Sequence, residues 1–194
     1  MRITGGKARG ISLKAPKDQK TRPATDRTRE SLFSSLTTSI IDVTCLDLFA
    51  GTGSYGFEAL SRGAQFCQFI EHNRTAIDCL KQNAQAIKKS AELRAEAIQI
   101  KRADLLKENA DSNQKSFDFI FLDPPYALWE SHSDYLLNTL ALGYANENTQ
   151  LILECPGDLV LDEISSYWSL KKRLGKESKG KPNILIYKCI NSAS

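Results

Sequence analysis

The chain has 194 residues, of which 41% are hydrophobic and 25% charged, a balance that suits one water-soluble core with at most a small appendage. No run approaches the ~20 apolar residues that span a bilayer, and residues 1–30 are basic and polar, without the apolar stretch of a secretory signal. Five cysteines with no CxxC pair, and only two histidines, give neither a disulfide framework nor a metal site, so reduced thiols in the cytoplasm are expected.

The net charge of +3 is unevenly spread. Residues 1–30 hold nine Lys/Arg against three acids, a local balance of +6, which leaves −3 for the remainder. A second basic cluster, Lys171, Lys172, Arg173, Lys176, Lys179 and Lys181, is interrupted by one acid, Glu177. Two basic patches on an acidic body suit a polyanion, although solvated surface segments have the same composition.

In chain order, short alternating pieces around Gly5, Gly6 and Gly10 predict a small hairpin over residues 1–20, with Arg2, Lys7, Arg9 and Lys14 on a basic face. Thr25 or Asp26 caps a helix whose apolar face is Leu32, Phe33, Leu36 and Ile40, with Arg22, Arg27 and Arg29 at its front, where they can face a ligand. Strands and helices then alternate. Strands are expected over 43–49, 66–71, 97–101, 117–123 and 150–154, with helices over 57–63, 74–89 and 131–142. Two closing strands, 168–173 and 183–189, are joined by only about ten residues, too few for a helical crossover, and are expected to be antiparallel. The class is α/β, a parallel sheet with helices on both faces.

Three stretches carry chemistry. Gly51 to Gly56, GTGSYG, matches G-x-G-x-x-G between a strand and a helix, and Glu71 closes the next strand, where a carboxylate can accept from ribose hydroxyls. A nucleoside cofactor follows, with NAD still open. Asp47, four residues before Gly51, would repel a pyrophosphate but can meet a ligand's ammonium group. Asp104, after the third strand, can accept from an adenine amine. Together they favour S-adenosylmethionine.

The third stretch, FDFIFLDPPY from Phe117 to Tyr126, is a buried strand that two prolines force out of the sheet. Asp123 and Tyr126 therefore stand at its carboxyl edge, where open α/β sheets bind ligands. The Asp123 carboxylate and the Pro124 carbonyl can hold the N–H groups of an exocyclic amine, a poor nucleophile, and stabilise the positive charge that builds on nitrogen during alkylation. Tyr126 offers a ring for stacking a base, and Pro125 stiffens the turn.

LDLFAGTGSYGFEALSRGA, FIEHN, RADLL and FLDPPY together resemble the class I S-adenosylmethionine-dependent amino-methyltransferases. With RITGGKARG and TRPATDRTRESLF in front, the resemblance narrows to the bacterial RsmD-type family. It is distinctive over about residues 1–126 and rests beyond them on the strand pattern. It implies a Rossmann-like, mostly parallel seven-stranded sheet with an antiparallel last strand, residues 1–20 forming a basic hairpin extension and 21–194 the methyltransferase domain. It implies methylation of the N2 of one guanine, position 966 in the usual rRNA numbering, in 16S rRNA.

By the same resemblance Asp47, Phe49, Ala50, Gly51, Gly53, Glu71, His72 and Asp104 line the cofactor site. Asp123, Pro124, Pro125 and Tyr126 position the guanine amine, Arg22 and Pro23 border the active site, and Arg2, Lys7 and Arg9 touch RNA. The implied partner is 16S rRNA in the small ribosomal subunit or an assembly intermediate, the implied protein a cytoplasmic monomer without metal or membrane. Ala24, Thr28 and Asn73 depart from the family's usual threonine, aliphatic and acidic residues. Competing readings are an adenine-N6 methyltransferase acting on DNA or RNA, an NAD-dependent oxidoreductase and a non-catalytic RNA-binding assembly factor.

Overall fold

The computed structural model describes residues 1–16, 26–107, 115–157, 167–175 and 182–190. The chain divides into two compact units, Met1–Lys107 and Glu108–Ser194. Arg22, Pro23, Ala24, the helix cap expected at Thr25 and the basic residues Lys176, Lys179 and Lys181 lie outside the described residues.

In the first unit, α1 (Asp26–Leu36) runs into a 3-10 turn, Thr37–Ile40, and buries the expected face of Leu32, Phe33, Leu36 and Ile40. Then follow β1 (Thr44–Leu48), α2 (Ser54–Ser61), β2 (Phe66–Glu71), α3 (Arg74–Ser90) and β3 (Ile98–Arg102). The strands are parallel in the order β3-β2-β1, with Asp47 paired to Phe69 and Phe69 to Ile100. The side chain of Asn73 caps α3 by accepting from the Ala76 amide at 3.1 Å. Such caps contribute about 1 kcal/mol, which accounts for an asparagine where an acid was expected. At the other end Lys88 and Lys89 complement the helix dipole.

Within residues 1–16 the expected amino-terminal hairpin closes through an antiparallel bridge between Arg2 and Ser12, and residues 17–20 of the expected span lie outside the described residues. Ile3, Ala8 and Leu13 are buried, whereas Arg2, Lys7 and Arg9 are exposed. Its loop is stitched to α2. The Lys7 amide donates to the Ser61 carbonyl at 2.8 Å, and the Ala8 amide to Ser61 Oγ at 2.9 Å. Glu58, fully buried in α2, accepts from the amides of Thr4 and Gly5 at 2.9 and 2.8 Å and from Thr4 Oγ1 at 2.7 Å. It also accepts from Arg62 Nε at 2.8 Å and Arg29 Nε at 3.4 Å.

Arg29 therefore does not face a ligand. It is fully buried between Glu58, Asp26 and the Arg2 carbonyl, because it precedes Leu32 by three residues and shares its inward face. A buried carboxylate needs this many donors to offset its lost hydration.

The second unit contains β4 (Phe119–Leu122), α4 (Tyr126–Asp134), β5 (Gln150–Pro156), β6 (Trp168–Leu174) and β7 (Pro182–Cys189). Their order is β4-β5-β7-β6, with β4 parallel to β5, and β7 antiparallel to both β5 and β6, as the short final connection required. All four residues of β4 are buried, which explains its unbroken apolar run.

One helix departs from expectation. It begins at Tyr126 rather than near residue 131, with Pro125 as its cap. A proline just before the first turn gives up no intrahelical hydrogen bond, so the second proline starts the helix as well as ending the strand. Beyond a kink at His132 the chain continues through wider π-type turns, Tyr135–Ala141, and a 3-10 turn, Leu142–Tyr144, which bury Leu136, Leu137 and Leu140. Among the described residues no helix is long and apolar enough to cross a membrane.

Candidate active site

In the first unit the predicted cofactor residues gather at the carboxyl ends of β1, β2 and β3. The chain leaves β1 through Phe49, whose φ of 57° is left-handed, and turns back at Ala50, whose amide donates to the Ile70 carbonyl of β2 at 3.0 Å. The Gly53 amide closes the turn on the Ala50 carbonyl at 2.7 Å. Two glycines are steric necessities. A Cβ on Gly53, where φ is 78°, would lie 2.4 Å from the Phe57 ring and 2.5 Å from Leu80. One on Gly56 would lie 2.4 Å from the Phe69 ring and 2.6 Å from Cys67 Sγ, so this glycine lets α2 press onto β2. The Phe57 and Phe69 rings then meet at 4.6 Å, a contact worth roughly 1 kcal/mol beyond its buried area.

Glu71 organises the far side of the turn. Its Oε2 accepts from the Gly51 amide at 2.9 Å, and its Oε1 from the amides of His72 and Asn73 at 2.9 and 2.8 Å. The His72 ring lies beside the same carboxylate, Nδ1 at 3.4 Å, and is largely exposed. The Ala103 amide donates to the Glu71 carbonyl at 3.2 Å, which brings the loop after β3 alongside. There Asp104 is half-buried and its carboxyl is held below the ordinary value, first by Lys107, 3.2 Å away, and then by the Leu106 amide.

Asp47 plays a different part from a surface carboxylate. It is 2% exposed, and its Oδ2 accepts from the Gly56 amide at 2.9 Å, anchoring the start of α2. Burial pushes its carboxyl up to about 8; the Gly56 amide opposes the rise and the neighbouring Glu71 charge adds to it.

In the second unit, Asp123 follows β4 directly and is half-buried, Pro124 is buried, and Tyr126 is 40% exposed at the first turn of α4. Trp129, one turn on, is buried, and its Nε1 donates to the Glu154 carbonyl of β5 at 3.2 Å. This bond pins α4, and with it the Pro-Pro turn, to the neighbouring strand.

Sequence reasoning missed three positioning residues: Glu58, Trp129 and Asn83. Asn83 is buried in α3 and donates to the Thr52 carbonyl at 3.0 Å while bonding both backbone groups of Lys14. No local pattern marks any of them, because, apart from Arg62 one turn beyond Glu58, their partners are distant in the chain. The glycine turn itself fits a nucleoside cofactor. A Cβ on Gly51 would meet only the Phe49 carbonyl, at 3.9 Å, so the backbone is open to close approach, and the half-buried Asp104 in the loop after β3 offers a carboxylate acceptor.

Known proteins resemble this chain in sequence and fold. A family model described as "Conserved hypothetical protein 95" matches residues 1–188. Ribosomal RNA small subunit methyltransferase D of Haemophilus influenzae is 44% identical over 126 residues, 65% of this chain, and the chain spans 64% of that protein's length. The Escherichia coli K12 protein of the same name is 33% identical over 174 residues, covering 89% of this chain and 83% of its own. The solved structure of Escherichia coli yhhF, described as a candidate methyltransferase, superposes with a TM-score of 0.78 at 30% identity and 98% coverage of both chains. The fold is thus the Rossmann-like, mostly parallel seven-stranded fold of class I methyltransferases. The chain belongs to the "Conserved hypothetical protein 95" family, that of the RsmD-type, S-adenosylmethionine-dependent rRNA methyltransferases.

Proposed function

We propose that this protein methylates the exocyclic N2 of one guanine in 16S rRNA, acting as a cytoplasmic monomer on the small ribosomal subunit or an assembly intermediate. The observation that carries the reading is the Asp123–Tyr126 turn: a half-buried carboxylate and an exposed aromatic ring at the carboxyl end of a buried strand, in a chain of this family.

S-adenosylmethionine, when bound, supplies an electrophilic methyl group on a positively charged sulfur. Glu71 holds the ribose hydroxyls, and Asp104 accepts from the adenine amine. Asp47 keeps the glycine turn and α2 in register through Gly56. Phe49, Ala50, Gly51, Gly53 and His72 form the remainder of the cradle. The Asp123 carboxylate and the Pro124 carbonyl accept the two N–H groups of the guanine amine. This turns the nitrogen lone pair out of conjugation with the ring and towards the methyl donor. As positive charge builds on nitrogen, the same acceptors stabilise it, and the alkylated amine, now acidic, loses its extra proton without a strong base. Tyr126 stacks the base, which has to be unpaired to reach this turn, and Pro125 keeps the turn stiff. Arg2, Lys7 and Arg9 contact phosphates, and Arg22 and Pro23 border the base.

The test uses labelled S-adenosylmethionine with unmodified small subunits, naked 16S rRNA and DNA, followed by nucleoside digestion. N2-methylguanosine from the subunit is expected. Methyladenosine, or label in DNA, would overturn the substrate assignment, and no label on any substrate would leave an RNA-binding assembly factor.

A further inference from the structure

We propose that the edge strand β6 is a second contact for the RNA backbone, in which Lys171, Lys172 and Arg173 hold phosphates flanking the target base. The inference rests on the RNA-methylation reading above and adds a surface to it.

The first observation is register. Leu122 of β4 pairs with Leu153 of β5, Leu153 with Leu185 of β7, and Leu185 with Arg173 of β6. Arg173 is therefore in line with Leu122, the residue immediately before Asp123, and Lys172 is in line with Phe121 through Ile152 and Ile186. Three interstrand spacings, about 14 Å, separate β6 from β4. The cations sit at the carboxyl end of β4, level with the turn that takes the base.

The second observation is the state of the strand. β6 is the last strand in the order, and Leu170, Lys171, Lys172 and Arg173 are all exposed. The strand contains no acid, and the β7 residues opposite Lys172 and Arg173 are the buried aliphatics Ile186 and Leu185. Three consecutive cations repel one another, and an anion laid along them relieves that repulsion.

Protection against edge-to-edge pairing does not require so much charge. A register shift between Leu170 and Lys172 leaves Lys171 as the extra residue of a bulge, which already spoils the edge as a pairing template. The same bulge increases the local twist and separates Lys171 from the plane of the ladder. A row of phosphates matches such an edge in charge and spacing.

The experiment replaces all three residues in the full chain (Lys171→Gln, Lys172→Gln, Arg173→Gln) and measures 16S rRNA binding across a salt series. S-adenosylmethionine affinity and the kinetics of methyl transfer are measured in parallel. Rim cations of this kind are expected to account for about a tenfold loss of RNA affinity near physiological salt, and for a log–log salt slope shallower by about 2. KM for RNA rises, while kcat and cofactor affinity stay at the parent's values. A control with the same charge loss on α3, Lys81→Gln, Lys88→Gln and Lys89→Gln, is expected to bind RNA within about twofold of the parent, since it answers only to the change in net charge. Parent-like RNA affinity and salt slope in the β6 variant would overturn the proposal. So would self-association of that variant without loss of RNA binding, which would assign the cations to edge protection. A parent protein without salt-dependent rRNA binding would instead overturn the RNA reading on which the proposal rests.

Discussion

Asn83 Nδ2 donates to the carbonyl of Thr52 at 3.0 Å, so the middle of α3 holds the glycine turn directly. The same side chain accepts from the Lys14 amide at 2.8 Å and donates to the Lys14 carbonyl at 2.9 Å. One buried amide thus joins the amino-terminal hairpin to the glycine turn. Replacing it by leucine strands three backbone groups, a loss expected to cost about 3 kcal/mol of stability by denaturant titration. Asn83→Asp keeps only the bond from the Lys14 amide. It is expected to bind S-adenosylmethionine several-fold more weakly by calorimetry, because the turn loses its tether. Parent-like cofactor affinity in a folded Asn83→Asp protein would show that the tether is irrelevant to the turn.

Gly53 meets two obstacles to substitution at once, a left-handed φ of 78° and the Phe57 and Leu80 side chains within 2.5 Å of an added Cβ. Gly53→Ala is expected to destabilise the protein by about 2–4 kcal/mol and to abolish cofactor binding, since the turn can accommodate a Cβ only by moving. Thermal unfolding with and without S-adenosylmethionine measures both. A variant that still gains its full ligand-induced rise in Tm would disprove the steric argument.

The Asp47 carboxyl titrates near 8 in the folded protein against an ordinary 3.8. Between those values the native state holds a proton that the unfolded chain has released. Its contribution to stability is therefore fully present below the unfolded value, lost progressively as pH rises towards 8, and flat above. Asp47→Asn keeps an acceptor for the Gly56 amide and removes the titration. Urea unfolding of parent and variant from about pH 5 to pH 8 is expected to show a shallower decline in the variant, with the larger gain over the parent at the alkaline end. Identical slopes would mean that Asp47 is ionised throughout.

Asp123→Ala removes an acceptor proposed for the amine and leaves the hydrogen bonds of Gly51 to Glu71, Gly56 to Asp47 and Thr52 to Asn83, all in the other unit, in place. Methyl transfer is expected to fall by at least about a hundredfold, the scale of losing a positioned transition-state acceptor, with cofactor affinity within about twofold. Equal losses in both would assign Asp123 to cofactor binding instead.

Local signals in the chain account for much of the architecture. The span Phe66–Glu71 is the same in sequence and structure, and Arg74–Ser90 differs from expectation by one residue, because apolar periodicity and a capping asparagine are local features. The glycine turn after β1 was equally legible, since tight turns leave glycines at fixed spacing. The start of α4 was not: Pro124 and Pro125 read as a strand stop, while Trp129, which fixes the helix to Glu154, bonds across 25 positions of sequence.

The roles of charged residues divided along the same line. Arg29 and Arg27 are equivalent as text, yet only Arg29 lies on the inward face of α1 and meets Glu58. Asp47 reads as a ligand for a cation, whereas burial and the Gly56 amide make it a support of α2 with a raised titration point. The sequence by itself determined the fold class, the family and the atoms available for chemistry, all of which depend on residue type and spacing. Only the tertiary structure decided which carboxylates are buried and which cations line up with the end of β4, because burial and register are properties of segments that meet far apart in the chain.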